Sequence, residues 1–280
     1  MRCFQVHIKD HFPVLGENGC DAYLDAYLPY NMTEMRRENQ RRPSILLCPG
    51  GGYGMCSQRE AEPIALRYLH AGYNVFILWY SVAPHRFPQA LREVAASVEL
   101  IHQNAKQWNC DESRIAIMGF SAGGHLAALY SNAYDWPEVR EVFPNSKPVS
   151  ASLLCYPVIC AVEGLTHAGS FQNLLGQFPL TPELTERFSC NRLVSKKTPP
   201  AFLWATAEDG VVPVQNTLLY AGALADHKVP FEVHIFPYGR HGMATCNRET
   251  LDGEITSGMA HTEGWMDESC RWLKLIWPEK

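Results

Sequence analysis

One short stretch constrains this chain more than any other, the pattern G-x-S-x-G formed by Gly119, Phe120, Ser121, Ala122 and Gly123. An apolar run precedes it and a run of small and apolar residues follows, so the pattern predicts a strand, a sharp turn and a helix with a serine at the apex. Glycine is needed on both sides of the serine because the strand and the helix approach closely there. The alternative is a glycine-rich loop in which the serine only caps the helix.

The composition is that of an ordinary globular protein. The 280 residues are 46% hydrophobic and 19% charged, which is compatible with a sizeable core in a single domain spanning residues 1–280. The formal net charge of −5 makes nucleic acid an unfavoured partner. Four arginines at positions 36, 37, 41 and 42 lie in a polar stretch that we predict to be a solvated loop.

The cysteines and the N-terminus bear on the cellular compartment. The ten cysteines are scattered and none forms a C-x-x-C pair, which favours a reducing environment over a disulfide scaffold. The first residues have no apolar core of the kind found in signal peptides. No apolar run approaches the ~18 residues of a membrane span. We therefore predict a cytoplasmic protein without a membrane partner.

Apolar runs alternate with amphipathic segments along most of the chain. Residues 2–9 and 21–28 predict two antiparallel N-terminal strands, and the later runs predict buried strands. These later strands are 44–48, 73–80, 115–118, 149–156, 201–206 and 231–236. Their spacing is typical of right-handed crossovers, so we expect an α/β fold with a mostly parallel sheet of about eight strands and helices on both faces. Residues 157–197 break the rhythm and are predicted to be a small cap insertion.

The start of the helix near residues 60–71 is ambiguous in the sequence. Ser57 and Glu60 have the spacing of a capping box, which would begin the helix at that point. Pro63 is incompatible with a helix interior, so a start near Glu62 is the alternative.

A serine nucleophile requires a neutral imidazole as base, an acid that orients the imidazole, and donors for an oxyanion. These groups should lie where the parallel strands end. His241 follows the last predicted strand and is the predicted base, while Asp209 follows the preceding strand and is the predicted acid. Glu208 is the rival acid. His125, four residues after Ser121 on the helix, is predicted to be a packing or hydrogen-bonding residue.

The oxyanion donors are expected to be backbone N–H groups. One belongs to the residue after the nucleophile, Ala122, and the other to the loop after an early strand. Gly50, Gly51 and Gly52 stand at that place, where glycine lets the backbone approach a substrate oxygen.

With these residues in place, the chain resembles the α/β-hydrolase serine esterases of the hormone-sensitive-lipase-like group. It is most similar to the bacterial acetyl esterases that are associated with acetylated xylan fragments. The resemblance covers nearly the whole chain and rests on residues 49–53, 80–88, 119–126, 198–204, 209–214 and 241–242.

The resemblance implies a triad of Ser121, Asp209 and His241, with the oxyanion hole formed by the N–H groups of Gly51, Gly52 and Ala122. There is one departure from the group's pattern. The group usually has a histidine before its glycines, and Pro49 occupies that position here. The loop geometry, and with it the choice of donor glycine, is therefore open.

The implied activity is hydrolysis of small acyl esters, above all O-acetyl groups on sugars or xylo-oligosaccharides, through an acyl-enzyme. It requires neither a metal nor an organic cofactor. An amide hydrolase such as an arylformamidase or a small acyl-peptidase is the alternative, because residues 209–219 also resemble prolyl-oligopeptidase-type hydrolases. A non-catalytic small-molecule receptor and a long-chain lipase are less favoured. The sequence leaves a homo-oligomer open.

Three phenylalanines in the cap insertion have two interpretations. Phe171, Phe178 and Phe188 are either walls of a substrate pocket or the small core of the cap itself.

Overall fold

The computed structural model describes residues 1–278, which contain one sheet of eight strands. The strands are β1 (Arg2–His7), β2 (Tyr23–Leu28), β3 (Arg42–Cys48), β4 (Asn74–Trp79), β5 (Cys110–Phe120), β6 (Ala151–Cys155), β7 (Ala201–Thr206) and β8 (Phe231–Phe236). They are ordered β1-β2-β4-β3-β5-β6-β7-β8. The pairs β1–β2 and β2–β4 are antiparallel, and the other neighbours are parallel. The predicted α/β fold, with its mostly parallel sheet of about eight strands, is confirmed.

Helices join the strands and cover both faces of the sheet. They are α1 (Ile8–His11), α2 (Glu62–His70), α3 (Gln89–Gln103), α4 (Ala105–Trp108), α5 (Ser121–Ala133), α6 (Pro137–Arg140), α7 (Ala168–Leu175), α8 (Pro182–Phe188), α9 (Cys190–Leu193), α10 (Gln215–Asp226), α11 (Ser257–Thr262) and α12 (Trp265–Ile276). Short 3₁₀ turns span Pro13–Gly19, Thr33–Met35 and Gln58–Glu60. Within residues 1–278, no helix combines the length and the apolar character needed to cross a bilayer.

Strand β3 shows why the central strands are apolar throughout. Its Leu46 belongs to the core layer that includes α3 and α5, whereas Ile45 and Leu47 belong to the layer on the opposite face with α2 and α12. Successive side chains of a strand point to opposite faces, so a sheet covered on both sides requires apolar residues at every position.

Of the two starts that the sequence leaves open for α2, the capping box at Ser57 is wrong and the start near Glu62 is confirmed. The Ser57 side chain makes no capping hydrogen bond, and Glu60 ends a 3₁₀ turn with its carboxylate buried. Helix α2 begins at Glu62, with Pro63 in its first turn, where a proline ring does not clash. The Glu60 carboxylate bonds to groups distant in the sequence, which a local capping pattern does not reveal.

Helices α3 and α4 are separated at Asn104. Its side-chain amide donates a hydrogen bond to the Leu100 carbonyl at 2.9 Å, which competes with the regular helical bonding.

Residues 157–197 carry α7, α8 and α9 between β6 and β7. Phe171 and Phe188 are almost fully buried in the same core layer as α5, and Phe178 packs against that layer. These phenylalanines therefore belong to the core of the main fold and do not form a separate small core of the 157–197 segment.

Candidate active site

The turn between β5 and α5 holds Ser121 in a strained conformation. Its φ angle is +52°, in the left-handed region that a non-glycine residue adopts only at a cost. A Cβ atom on Gly119 would lie 2.1 Å from the Gly123 carbonyl oxygen, and one on Gly123 would lie 2.2 Å from the Cys48 carbonyl oxygen. Both glycines of the pattern are therefore required for the close approach of strand and helix.

The three residues predicted as a triad are brought together by hydrogen bonds. The Ser121 hydroxyl lies 2.8 Å from His241 Nε2, and His241 Nδ1 lies 2.6 Å from Asp209 Oδ2. The other carboxylate oxygen of Asp209 accepts the N–H groups of Val211 and Val212, each at 2.9 Å. These bonds fix the carboxylate so that His241 donates from Nδ1 and presents Nε2 to the serine as an acceptor.

The topology explains this meeting of residues that are distant in sequence. Ser121 follows β5, Asp209 follows β7 and His241 follows β8. These strands are parallel, so their carboxyl ends lie at one edge of the sheet. The Asp209 side chain is fully buried and that of His241 is 15% exposed, which leaves the imidazole accessible from one side.

The rival acid Glu208 has a different partner. One of its carboxylate oxygens accepts the backbone N–H of Gly239 at 3.3 Å, whereas Asp209 bonds to His241. Adjacent residues in an extended turn point in different directions, so only one of the two carboxylates reaches the imidazole.

In the glycine loop after β3, one backbone N–H group donates a hydrogen bond and two are available. The N–H of Gly50 donates to Glu60 Oε2 at 2.8 Å. Within residues 1–278, the N–H groups of Gly51 and Gly52 donate to no acceptor. The N–H of Ala122 lies in the first turn of α5, where helical geometry supplies no partner. The N–H groups of Gly51, Gly52 and Ala122 are thus available to an incoming oxygen, and the positive end of α5 favours a negative one.

Several side chains hold this loop in place. The Tyr80 hydroxyl donates to the Pro49 carbonyl at 2.7 Å, at the position where the broader group usually has a histidine. Asn173 of α7 donates to the Gly52 carbonyl at 2.9 Å. The loop is therefore bonded to the residue that follows β4 at one end and to α7 at the other.

His125 is fully buried and links three parts of the fold. The Tyr53 hydroxyl bonds to its Nδ1 at 2.9 Å, and its Nε2 bonds to the Phe188 carbonyl at 2.9 Å. Burial lowers the pKa of His125 to about 4, so the imidazole is neutral at physiological pH. The predicted packing and hydrogen-bonding role is confirmed.

Three residues near the site were not predicted from the sequence. Glu60 and Tyr156 form a buried pair, with the Tyr156 hydroxyl 2.7 Å from Glu60 Oε1. His167, directly before α7, lies against the glycine loop, since a Cβ on Gly52 would be 3.4 Å from its ring. Burial, and secondarily the charge of His241, lower the pKa of His167. No local pattern marks these residues, although the position of Tyr156 directly after β6 was a usable signal.

Residues 24–224 match the family model BD-FAE. The chain belongs to the BD-FAE family. The match spans β2 to α10 and includes Ser121, Asp209 and the glycine loop.

Two curated bacterial proteins are similar to this BD-FAE chain. The endo-1,4-beta-xylanase B of Butyrivibrio fibrisolvens is 38% identical over 237 residues, which cover 81% of this chain and 36% of that protein. The acetylxylan esterase of Xylanibacter ruminicola is 33% identical over 213 residues, which cover 73% of this chain and 42% of that protein. The chain spans less than half the length of either relative.

A solved structure matches almost end to end. The acetyl ester-xyloside bifunctional hydrolase from Caldicellulosiruptor lactoaceticus superposes with a TM-score of 0.82 at 35% identity, covering 98% of this chain and 97% of that one. The carboxylesterase Cest-2923 of Lactobacillus plantarum also has a TM-score of 0.82, at 29% identity with 98% coverage of both chains. The chain has the α/β-hydrolase fold, and its predicted resemblance to serine esterases is confirmed.

Proposed function

We propose that this protein is a serine carboxylesterase that removes small acyl groups, above all O-acetyl groups, from sugars or xylo-oligosaccharides. The observation that carries the proposal is the continuous hydrogen-bonded relay from Ser121 through His241 to Asp209. The names of its relatives, an acetylxylan esterase and an acetyl ester-xyloside hydrolase, support the acetyl group and the sugar. An esterase that removes acetyl groups from xylo-oligosaccharides would contribute to xylan degradation, a part of carbohydrate metabolism.

In the proposed reaction the Ser121 oxygen attacks the ester carbonyl carbon while His241 Nε2 takes the hydroxyl proton. The C–O bond to the alcohol then breaks, and His241 returns the proton to the leaving oxygen. A water molecule, deprotonated by the same imidazole, then attacks the acyl carbon. The bond to the Ser121 oxygen breaks, His241 returns the proton to that oxygen, and the carboxylic acid is released. Asp209 orients His241 and stabilises the imidazolium in both steps. The reaction requires neither a metal nor an organic cofactor.

The oxyanion of each tetrahedral intermediate is assigned to the N–H groups of Gly51, Gly52 and Ala122. Two observations support this assignment. The N–H groups of Gly51 and Gly52 have no acceptor within residues 1–278, and Ala122 lies at the N-terminus of α5. Donors aimed in advance at the developing charge stabilise the transition state more than the substrate.

We also infer that the chain forms one domain in which residues 157–197 act as a cap that limits the size of the substrate. Asn173 bonds to the oxyanion loop and His167 lies against Gly52, so the cap borders the reacting atoms. Small acyl groups suit a serine that is only 7% exposed beneath this cap.

Two experiments test the proposal. A fluorophosphonate should label Ser121 stoichiometrically in the folded protein, and an unlabelled serine would contradict the nucleophile. A hydrolysis screen should then compare acetylated xylo-oligosaccharides with aryl acetates, longer aryl esters, formyl-kynurenine-type amides and amino-acid anilides. We expect the acetyl esters to be hydrolysed fastest. Faster hydrolysis of the amides would indicate an amide hydrolase instead.

A further inference from the structure

A buried carboxylate lies directly beneath the oxyanion loop. Glu60 is 3% exposed, and its Oε2 accepts the N–H of Gly50, the residue next to the proposed donor Gly51, at 2.8 Å. A Cβ on Gly50 would lie 2.6 Å from this same oxygen, so only glycine lets the carboxylate reach the backbone.

The other oxygen of Glu60 leads to the loop that carries the histidine. Glu60 Oε1 accepts the Tyr156 hydroxyl at 2.7 Å, and that hydroxyl in turn accepts the Ala244 N–H at 3.1 Å. Ala244 lies three residues after His241, and the Tyr156 ring packs against the His241 ring with centroids 5.0 Å apart. One carboxylate therefore connects the loops after β3, β6 and β8.

The hydrogen bonds indicate that Glu60 accepts and does not donate. Burial raises the pKa of the Tyr156 phenol well above its ordinary value, so the phenol keeps its proton. The pKa of Glu60 is raised above its ordinary value because burial outweighs the opposing effect of the hydrogen bonds from Tyr156 and Gly50. Charges on His241 and Arg59 also oppose this rise in the pKa of Glu60. A protonated Glu60 would leave one proton of the pair without an acceptor, which is costly in a buried site.

We propose that Glu60 is a positioning residue that holds the oxyanion loop and the loop of His241 in one frame. This proposal rests on the proposed esterase function. The oxyanion donors and the imidazole act on the same tetrahedral intermediate, so their relative placement matters at the level of about 0.5 Å. Glu60 is buried and accepts a charge-assisted hydrogen bond directly from the oxyanion loop at Gly50. It is linked to the loop of His241 through the Tyr156 hydroxyl.

The test compares Glu60→Gln and Tyr156→Phe with the control Glu62→Gln. Glu62 is an exposed carboxylate two residues along the chain, with only a 3.3 Å contact to Tyr27. On p-nitrophenyl acetate we expect both site variants to lose about 10- to 100-fold in kcat with a nearly unchanged KM, since the lost interaction acts in the transition state. The double variant should lose little more than the single ones, because the two residues act as one unit.

A second readout does not depend on catalysis. Peptide-resolved hydrogen–deuterium exchange should show faster exchange in segments 49–54 and 241–246 together, in both site variants and not in Glu62→Gln. Tyr156→Phe retains the ring packing, so it reports the hydroxyl even where Glu60→Gln unfolds.

Two results would overturn the proposal. The first is kcat of Glu60→Gln and Tyr156→Phe equal to that of the control. The second is faster exchange in only one of the two segments, which would mean that Glu60 supports one loop without coupling both. Failure of the esterase function itself is seen separately, as an absence of ester hydrolysis and of Ser121 labelling in the wild-type protein, and the exchange data then still decide the coupling.

Discussion

The buried histidine of α5 predicts a specific loss of stability in acid. His125 is fully buried, bonded to Tyr53 and Phe188, and its ring packs edge-on against Phe171 with centroids 5.1 Å apart. Burial lowers the pKa of His125 to about 4, whereas an unfolded histidine titrates near 6.5. Folding is therefore coupled to the release of a proton at pH values between these two.

The sign follows from which state binds the proton. Above pH ~6.5 neither state carries it, and the histidine has no effect on the pH dependence. As the pH falls towards 4, the unfolded chain takes up the proton and the folded chain does not, so the free energy of unfolding decreases. The pKa difference of roughly 2.5 corresponds to about 3 kcal/mol at pH 4, a large share of the 5–15 kcal/mol typical of a domain.

The assay is urea unfolding followed by tryptophan fluorescence at several pH values from 7 to 4.5. His125→Gln removes the titration and retains an amide that can reach the Phe188 carbonyl. The variant is less stable at neutral pH, but its free energy of unfolding should depend less steeply on pH, by up to about 1.4 kcal/mol per pH unit. Carboxylates that titrate in this range affect both proteins equally. The control His70→Gln removes an exposed histidine from α2 and should keep the wild-type slope.

Parallel curves for wild type and His125→Gln would refute the reasoning. They would mean that His125 binds a proton equally well in the folded and unfolded states. The link between burial and the lowered pKa would then be wrong at this position.

Other expected outcomes concern the triad residues and the turn between β5 and α5. Ser121→Ala should lower kcat by about 10⁴-fold or more in ester assays, and Asp209→Asn should lose nearly as much, whereas Glu208→Gln should retain most activity. The reverse order for the two acids would show that the wrong carboxylate is assigned. Gly123→Ala should destabilise the fold by about 3 kcal/mol in urea unfolding, because its Cβ has no space, while Gly222→Ala on the exposed face of α10 should not.

The sequence predicted most of the framework because the relevant signals are local. Continuous apolar runs marked the central strands, and their alternation with amphipathic segments indicated parallel crossovers. The G-x-S-x-G pattern predicted the turn at Ser121, since the steric demand for glycine at positions 119 and 123 arises within a few residues of the serine. Asp209 and His241 were predicted by their places after the last two strands.

Local patterns misled where a side chain had a distant partner. Ser57 and Glu60 have the spacing of a capping box, yet the Glu60 carboxylate bonds to a tyrosine 96 residues away. The sequence offers each polar group several partners, and packing selects one.

The sequence by itself determined the strands of the sheet, the turn at Ser121 and the residues that could form a site. Each of these follows from backbone geometry over a short span of residues. The tertiary structure decided which of two adjacent acids meets His241, that the N–H group of Gly50 donates a hydrogen bond while those of Gly51 and Gly52 are available, and that His125 is neutral. These outcomes depend on burial and on hydrogen bonds between loops brought together only at the ends of parallel strands. That is the physical reason the chain alone left alternatives open at these positions.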